Sequence, residues 1–177
     1  MSYHAEKLKH LAHYVIAKCG SKAGFGATKL NKILWFADAR QYMLTGKSIT
    51  GAVYTKQEFG PVPKAIMPVR SALIREGKIR EFPPKQKFQG HGFKSLANPD
   101  LTLFTAAEIA NVDYWLKEIC DNHTADSISE LSHDYGWEIA DMGSALPFSA
   151  FMAERIRKPN DEEMSWVRAE VQRLGLN

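Results

Sequence analysis

Apolar residues recur at helical spacing through Leu8, Leu11, Ala12, Val15, Ile16 and Cys19, one buried stripe of a first helix. The segment GSKAGFG then breaks the period with three glycines. A second helix is predicted from about Thr28 to Leu44, with Gly46 as its stop. ITGAVYTKQEF changes the period to two, rich in β-branched and aromatic residues, and reads as a strand. GPVPK ends that strand and opens a third helix with Ile66, Val69, Leu73 and Ile74 inward. Pro68 predicts a kink or a late start there, and Gly77 closes the helix.

KIREF and GFKSL read as two short strands joined by PPKQKFQGH, a hairpin with a long tip. Thr105 and Glu108 make a capping box for a fourth helix that buries Ile109, Val112, Leu116, Ile119 and Cys120. TADSISELSHDY reads as a short fifth helix capped by Thr124. GWEIADMGSALPFSAFM reads as irregular, broken by Gly and Pro. A last helix from Asn160 carries three acids in its first turn and buries Met164, Val167, Val171 and Leu174. The predicted fold is α+β, mostly α, with about six helices around one small antiparallel sheet of about three strands.

The second helix departs from ordinary amphipathic patterning. Leu30, Ile33, Leu34, Ala37 and Leu44 share a core face. Asn31, Trp35, Asp38 and Tyr42 form a second strip, and Lys32, Phe36, Arg40 and Met43 the remaining side. Asp38 has no cation at helical-neighbour spacing, so a buried Asp38 needs a partner from Tyr42 or from elsewhere in the fold. A lone carboxylate without a second acid, histidine or metal ligand makes a weak general base.

The chain has 177 residues, 45% of them hydrophobic, which suits one soluble domain. No apolar run approaches the ~18 residues of a membrane span, and MSYHAEKLKH has no signal-peptide core, so a cytosolic protein is expected. Cys19 and Cys120 fall on apolar helix faces and read as buried reduced thiols. The net charge is +3, but residues 1–99 hold 17 Lys and Arg against 5 acids, and residues 100–177 hold 6 against 15. Either the halves neutralise each other across the fold or the asymmetry steers a charged partner.

Candidate chemistry fails on detail. GSKAGFGATK puts Phe25 where a phosphate loop needs its second glycine, and follows a helix where that loop follows a strand. Ser132, His133 and Asp134 have the residue types of a hydrolase triad, but neighbours on a helix diverge by about 100° and cannot bond in series. Cys120 and His123 are spaced to touch, yet Cys120 belongs to the core stripe. Glu6, His10 and His13 read as a solvated face lacking a full metal ligand set. The hairpin alternates Lys78, Arg80, Lys85, Lys87 and Lys94 with Phe82, Phe88 and Phe93, as single-strand nucleic-acid binders do. The competing reading buries those aromatics and leaves the lysines guarding an edge.

The stretch from Leu30 to Pro63 resembles the SocA-like Panacea domain of type II toxin–antitoxin and phage-associated proteins. The resemblance rests on the helix Leu30 to Asp38, the turn Gly46 to Gly51, Tyr54, and Phe59 to Pro63. Leu131, Ser132, His133, Trp137 and the segment SALPFSAFM extend it. Trp35 and Phe59 stand where that pattern has Tyr, and Pro68 interrupts the third helix. The expected domain runs over 1–158, with a C-terminal helix over 159–177. The resemblance implies a non-enzymatic antitoxin, without cofactor or metal, that binds a cognate protein toxin encoded next to it. It also implies a role as adaptor delivering the toxin to a cytosolic protease. A nucleic-acid-binding regulator using residues 78–94 is the alternative. The residues expected at the partner interface are Trp35, Asp38, Tyr42, Tyr54, Phe59, Pro61, Pro63, His133 and Trp137.

Overall fold

The computed structural model describes residues 5–84, 91–153 and 161–174. Helix α1 (Ala5–Cys19) buries its predicted stripe, and α2 (Ala27–Thr45) runs through the centre of the molecule. From Leu30 to Ala39 every residue of α2 except Asn31 is buried, so all sides of this helix meet protein. A helix buried all round is a core element, and its weak two-faced patterning follows from that position. Each fully buried large aliphatic side chain contributes roughly 1.5–3 kcal/mol. At its end Gly46 adopts φ 72°, a left-handed geometry, and its N–H donates to the Tyr42 carbonyl at 2.8 Å.

Strands β1 (Tyr54–Gln57) and β2 (Gly60–Pro63) form a tight antiparallel hairpin. GPVPK was expected to end the strand and open a helix, and instead GPVP pairs back on β1, Tyr54 with Pro63 and Lys56 with Pro61. β2 is an edge strand, where a missing N–H leaves no ladder bond broken. The third strand of this sheet is β5 (Ala145–Leu146), on the other side of β1. Helix α3 (Ile66–Arg75) starts late enough that Pro68 falls in its first turn. Strands β3 (Ile79–Phe82) and β4 (Gly92–Ser95) pair separately, so two small sheets replace the single one expected.

Helix α4 (Ala106–Asn122) has the predicted capping box of Thr105 and Glu108, and packs along α2. The expected fifth helix is broken: α5 (Ala125–Leu131) stops at Ser132, and α6 (Tyr135–Ile139) restarts with Asp134 as N-cap, accepting from the Trp137 N–H. A capping carboxylate between two apolar turns interrupts a helix that periodicity alone would continue. Helix α7 (Phe148–Ala153), in the segment expected to be irregular, lays Phe148 and Phe151 against Trp35, with centroids at 5.2 and 5.8 Å. Helix α8 (Asp161–Leu174) holds Met164 and Val171 half-buried. Lys85, Lys87, Phe88, Asn160 and the side chains of Val167 and Leu174 lie outside the described residues.

The two oppositely charged halves meet across the α1–α4 contact. Lys7 pairs with Glu108 at 2.6 Å, Lys22 with Asp121 at 2.7 Å, and the Tyr14 hydroxyl donates to Asp113 at 2.6 Å. Part of the charge asymmetry is thus spent inside the fold.

Candidate functional site

Two polar knots grow from α2, and both tie the β1–β2 hairpin to it. In the first, Asp38 is fully buried beneath the turn that precedes β1. Its Oδ1 accepts from the Thr50 N–H at 2.9 Å, and its Oδ2 accepts from the Thr50 hydroxyl and, at 2.8 Å, from the Tyr54 hydroxyl. The partner from elsewhere in the fold is therefore Thr50 with Tyr54; Tyr42 takes no part, turning its ring to Phe148 at 5.4 Å. Burial pushes the Asp38 carboxyl up to about 6, against the pull of those hydrogen bonds.

In the second knot Lys32, 1% exposed, extends to the hairpin tip, and its Nζ donates to the Phe59 carbonyl. Sequence spacing puts Lys32 with Phe36, Arg40 and Met43 on the remaining side of α2, away from its core face. The stem of a lysine packs like an aliphatic chain, and here the head reaches no water. Burial lowers its ammonium to about 7, so the neutral amine is well populated near neutrality. Gly60 makes room for it. A Cβ on Gly60 would stand 2.1 Å from the Lys32 Nζ and 2.3 Å from the buried Ser132 hydroxyl, at a φ of +99° that other residues rarely adopt. The Ser132 Oγ donates to the Ser129 carbonyl at 2.7 Å, which fixes the end of α5 against the same point.

A third set of contacts fastens α6 to β1. Lys56 donates its Nζ to the carbonyls of Glu138 and Ala140 at 3.2 and 3.0 Å, and stands 4.2 Å from the centre of the Trp137 ring. Trp137 donates its Nε1 to the Gln57 carbonyl at 3.2 Å and stacks on His133, centroids 3.6 Å apart. Burial, with Lys32 and Lys56 nearby, holds the His133 imidazole below its ordinary value, so it is neutral at pH 7. Ser132, His133 and Asp134 do not form a triad: Ser132 bonds to Ser129 and Asp134 caps α6.

Of the residues expected at an interface, Trp35, Asp38, Tyr54, Pro61 and Pro63 are buried. Phe59 is exposed, and Tyr42, His133 and Trp137 are half-buried. Sequence reasoning named Phe59 but missed the other apolar side chains around the last pair. Phe59, Leu131, Tyr135, Ile139 and Met142 are 52–66% exposed and surround the junction of the hairpin tip with α5 and α6. On the α5–α6 side, residues 124–141 contain five acids and no Lys or Arg, so the rim is net negative there, while Lys56 brings one cation to it from β1. Their signal was available: apolar residues in short, cap-interrupted segments lack the continuous stripe that marks a core helix.

The nucleic-acid hairpin fares less well. Phe93 is buried under the Arg70 guanidinium, which lies 5.1 Å from its ring centre and pairs with Glu81. Lys78 pairs with Glu76 at 3.0 Å. His13, expected on a solvated face, is buried against the Ser95 hydroxyl at 3.1 Å.

The residues that tie the two knots together are those on which the family resemblance rests: Lys32, Asp38, Thr50, Tyr54, Phe59, Gly60 and Ser132. Residues 30–138 match the family described as antitoxin SocA-like, Panacea domain. The chain belongs to this family. No curated protein and no solved structure matches it. The Panacea match begins within α2 and ends within α6, so it encloses both knots and most of the apolar rim. Among the described residues no helix is long and apolar enough to cross a membrane.

Proposed function

We propose that this chain is an antitoxin that neutralises a cognate protein toxin by direct binding, and that the rim of Phe59, Leu131, Tyr135, Ile139 and Met142 is the contact surface. The match over residues 30–138 carries the antitoxin reading. The placement of the rim rests on exposure and charge. Large apolar side chains gathered on a surface favour a protein partner, and the acidic surroundings favour one whose contact face has an apolar centre ringed by Lys and Arg. The knots beneath hold the rim in shape before binding, which lowers the ordering cost of association. The half-buried His133–Trp137 stack lies behind this surface and supports it.

Co-expression with the product of the neighbouring gene tests the reading. Growth inhibited by that product alone is expected to be restored, with a stoichiometric complex on size exclusion. Inhibition that persists despite a folded, soluble partner would overturn it.

A further inference from the structure

Two thiols far apart in sequence meet between α1 and α4. Cys19 ends α1 and Cys120 lies in the last turn of α4, and their Sγ atoms are 2.8 Å apart across a separation of 101 residues. Neither is in a disulfide; Cys19 is buried, while Cys120 is partly open to solvent. The antitoxin reading uses neither. The hydrogen bond between the two, with Lys22 and Lys29 nearby, holds the Cys120 thiol below its ordinary value against the effects of burial and of Asp121. The same bond and burial push Cys19 up. One sulfur is thus reachable and thiolate-prone, and the other waits behind it. A disulfide needs the sulfurs at about 2.05 Å, a small closing movement from their present positions.

We propose that Cys19 and Cys120 are a redox-modification site that a low-molecular-weight disulfide, such as oxidised glutathione, closes into an intramolecular cystine joining α1 to α4. The Cys120 thiolate attacks one sulfur of the oxidant, forming a mixed disulfide and expelling one thiolate. Cys19 gives its proton to that thiolate and attacks the Cys120 sulfur, expelling the second. Two electrons pass from the cysteine sulfurs to the oxidant, which leaves as two thiols carrying the two protons. Closing so long a loop restricts the unfolded chain, so the oxidised protein resists unfolding.

The test treats the full reduced chain with oxidised glutathione and reads intact mass, peptide linkage and denaturant midpoint. The expected product is a monomer lighter by two hydrogens, with Cys19 and Cys120 peptides linked and a raised midpoint that dithiothreitol reverses. Cys19→Ser is expected to stop at a stable glutathione adduct on Cys120, and Cys120→Ser to remain unmodified while folded. A persistent adduct on the unmutated chain, a cystine between two chains, or no reaction would each overturn the proposal.

Discussion

Lys32 and Asp38 occupy one buried helix, and their titrations run in ways that can be separated. The folded-state pKa of Lys32 is lowered to about 7, so above that pH the unfolded chain holds more protons than the folded one. Stability from this group therefore rises with pH between about 7 and 10.5, by up to about 1.4 kcal/mol per pH unit. Urea midpoints at pH 7 and 9 are expected to show that rise in the unmutated protein relative to Lys32→Met, the difference cancelling other groups. Asp38 runs the other way. Its pKa is raised to about 6, so the folded state holds more protons between about 4 and 6, and stability from this group falls as pH rises through that window. Asp38→Ala leaves the Tyr54 hydroxyl and the Thr50 N–H without their acceptor, a cost of about 3 kcal/mol or more. Calorimetry should show the lower melting temperature, and toxin neutralisation should fall only where the protein is unfolded. An unchanged melting temperature with neutralisation abolished would place Asp38 in the interface.

Elements with long, regular patterns were legible in the sequence, and those set by single contacts were not. The stripe of α1, the glycine stop of α2 and the capping box of α4 each follow from local chemistry and occur as expected. β5, with two residues, has no period to read, and β2 hid behind prolines that only an edge position tolerates. The split between α5 and α6 depends on one capping carboxylate, Asp134. In the candidate site, the need of a buried Asp38 for a distant partner was readable, because its own helix offered no cation; its complete burial, at a position also expected at an interface, was not. The burial of Lys32 was not, since nothing local reveals that its head meets a carbonyl 27 residues away. The same contact makes a prediction about the hairpin. Gly60→Ala combines a positive φ with a clash on Lys32 and Ser132, and is expected to lower the denaturant midpoint markedly. Gly77→Ala shares the positive φ but meets nothing within 4 Å, so the excess loss at Gly60 measures the packing of the knot.

The whole molecule is built around a central helix that packs against α1, α4, α5, α7 and the β1–β2 hairpin, with polar knots fixing that hairpin beside an exposed apolar rim. Family membership accounts for the interior more directly than for the surface, because the motif residues of the resemblance are mostly buried. In the proposed assignment, variation among rim side chains would change the toxin recognised while the scaffold stays the same. The negative surroundings of the rim predict association with the toxin that slows as salt rises, with dissociation changed much less. Stopped-flow measurements across ionic strength check this. The most direct test of the central claim is a binding titration of the neighbouring gene's product against Phe59→Glu and Ile139→Glu, each with its melting temperature. At least a tenfold loss of affinity is expected for each variant, with melting temperatures unchanged. Full affinity in both variants would contradict it.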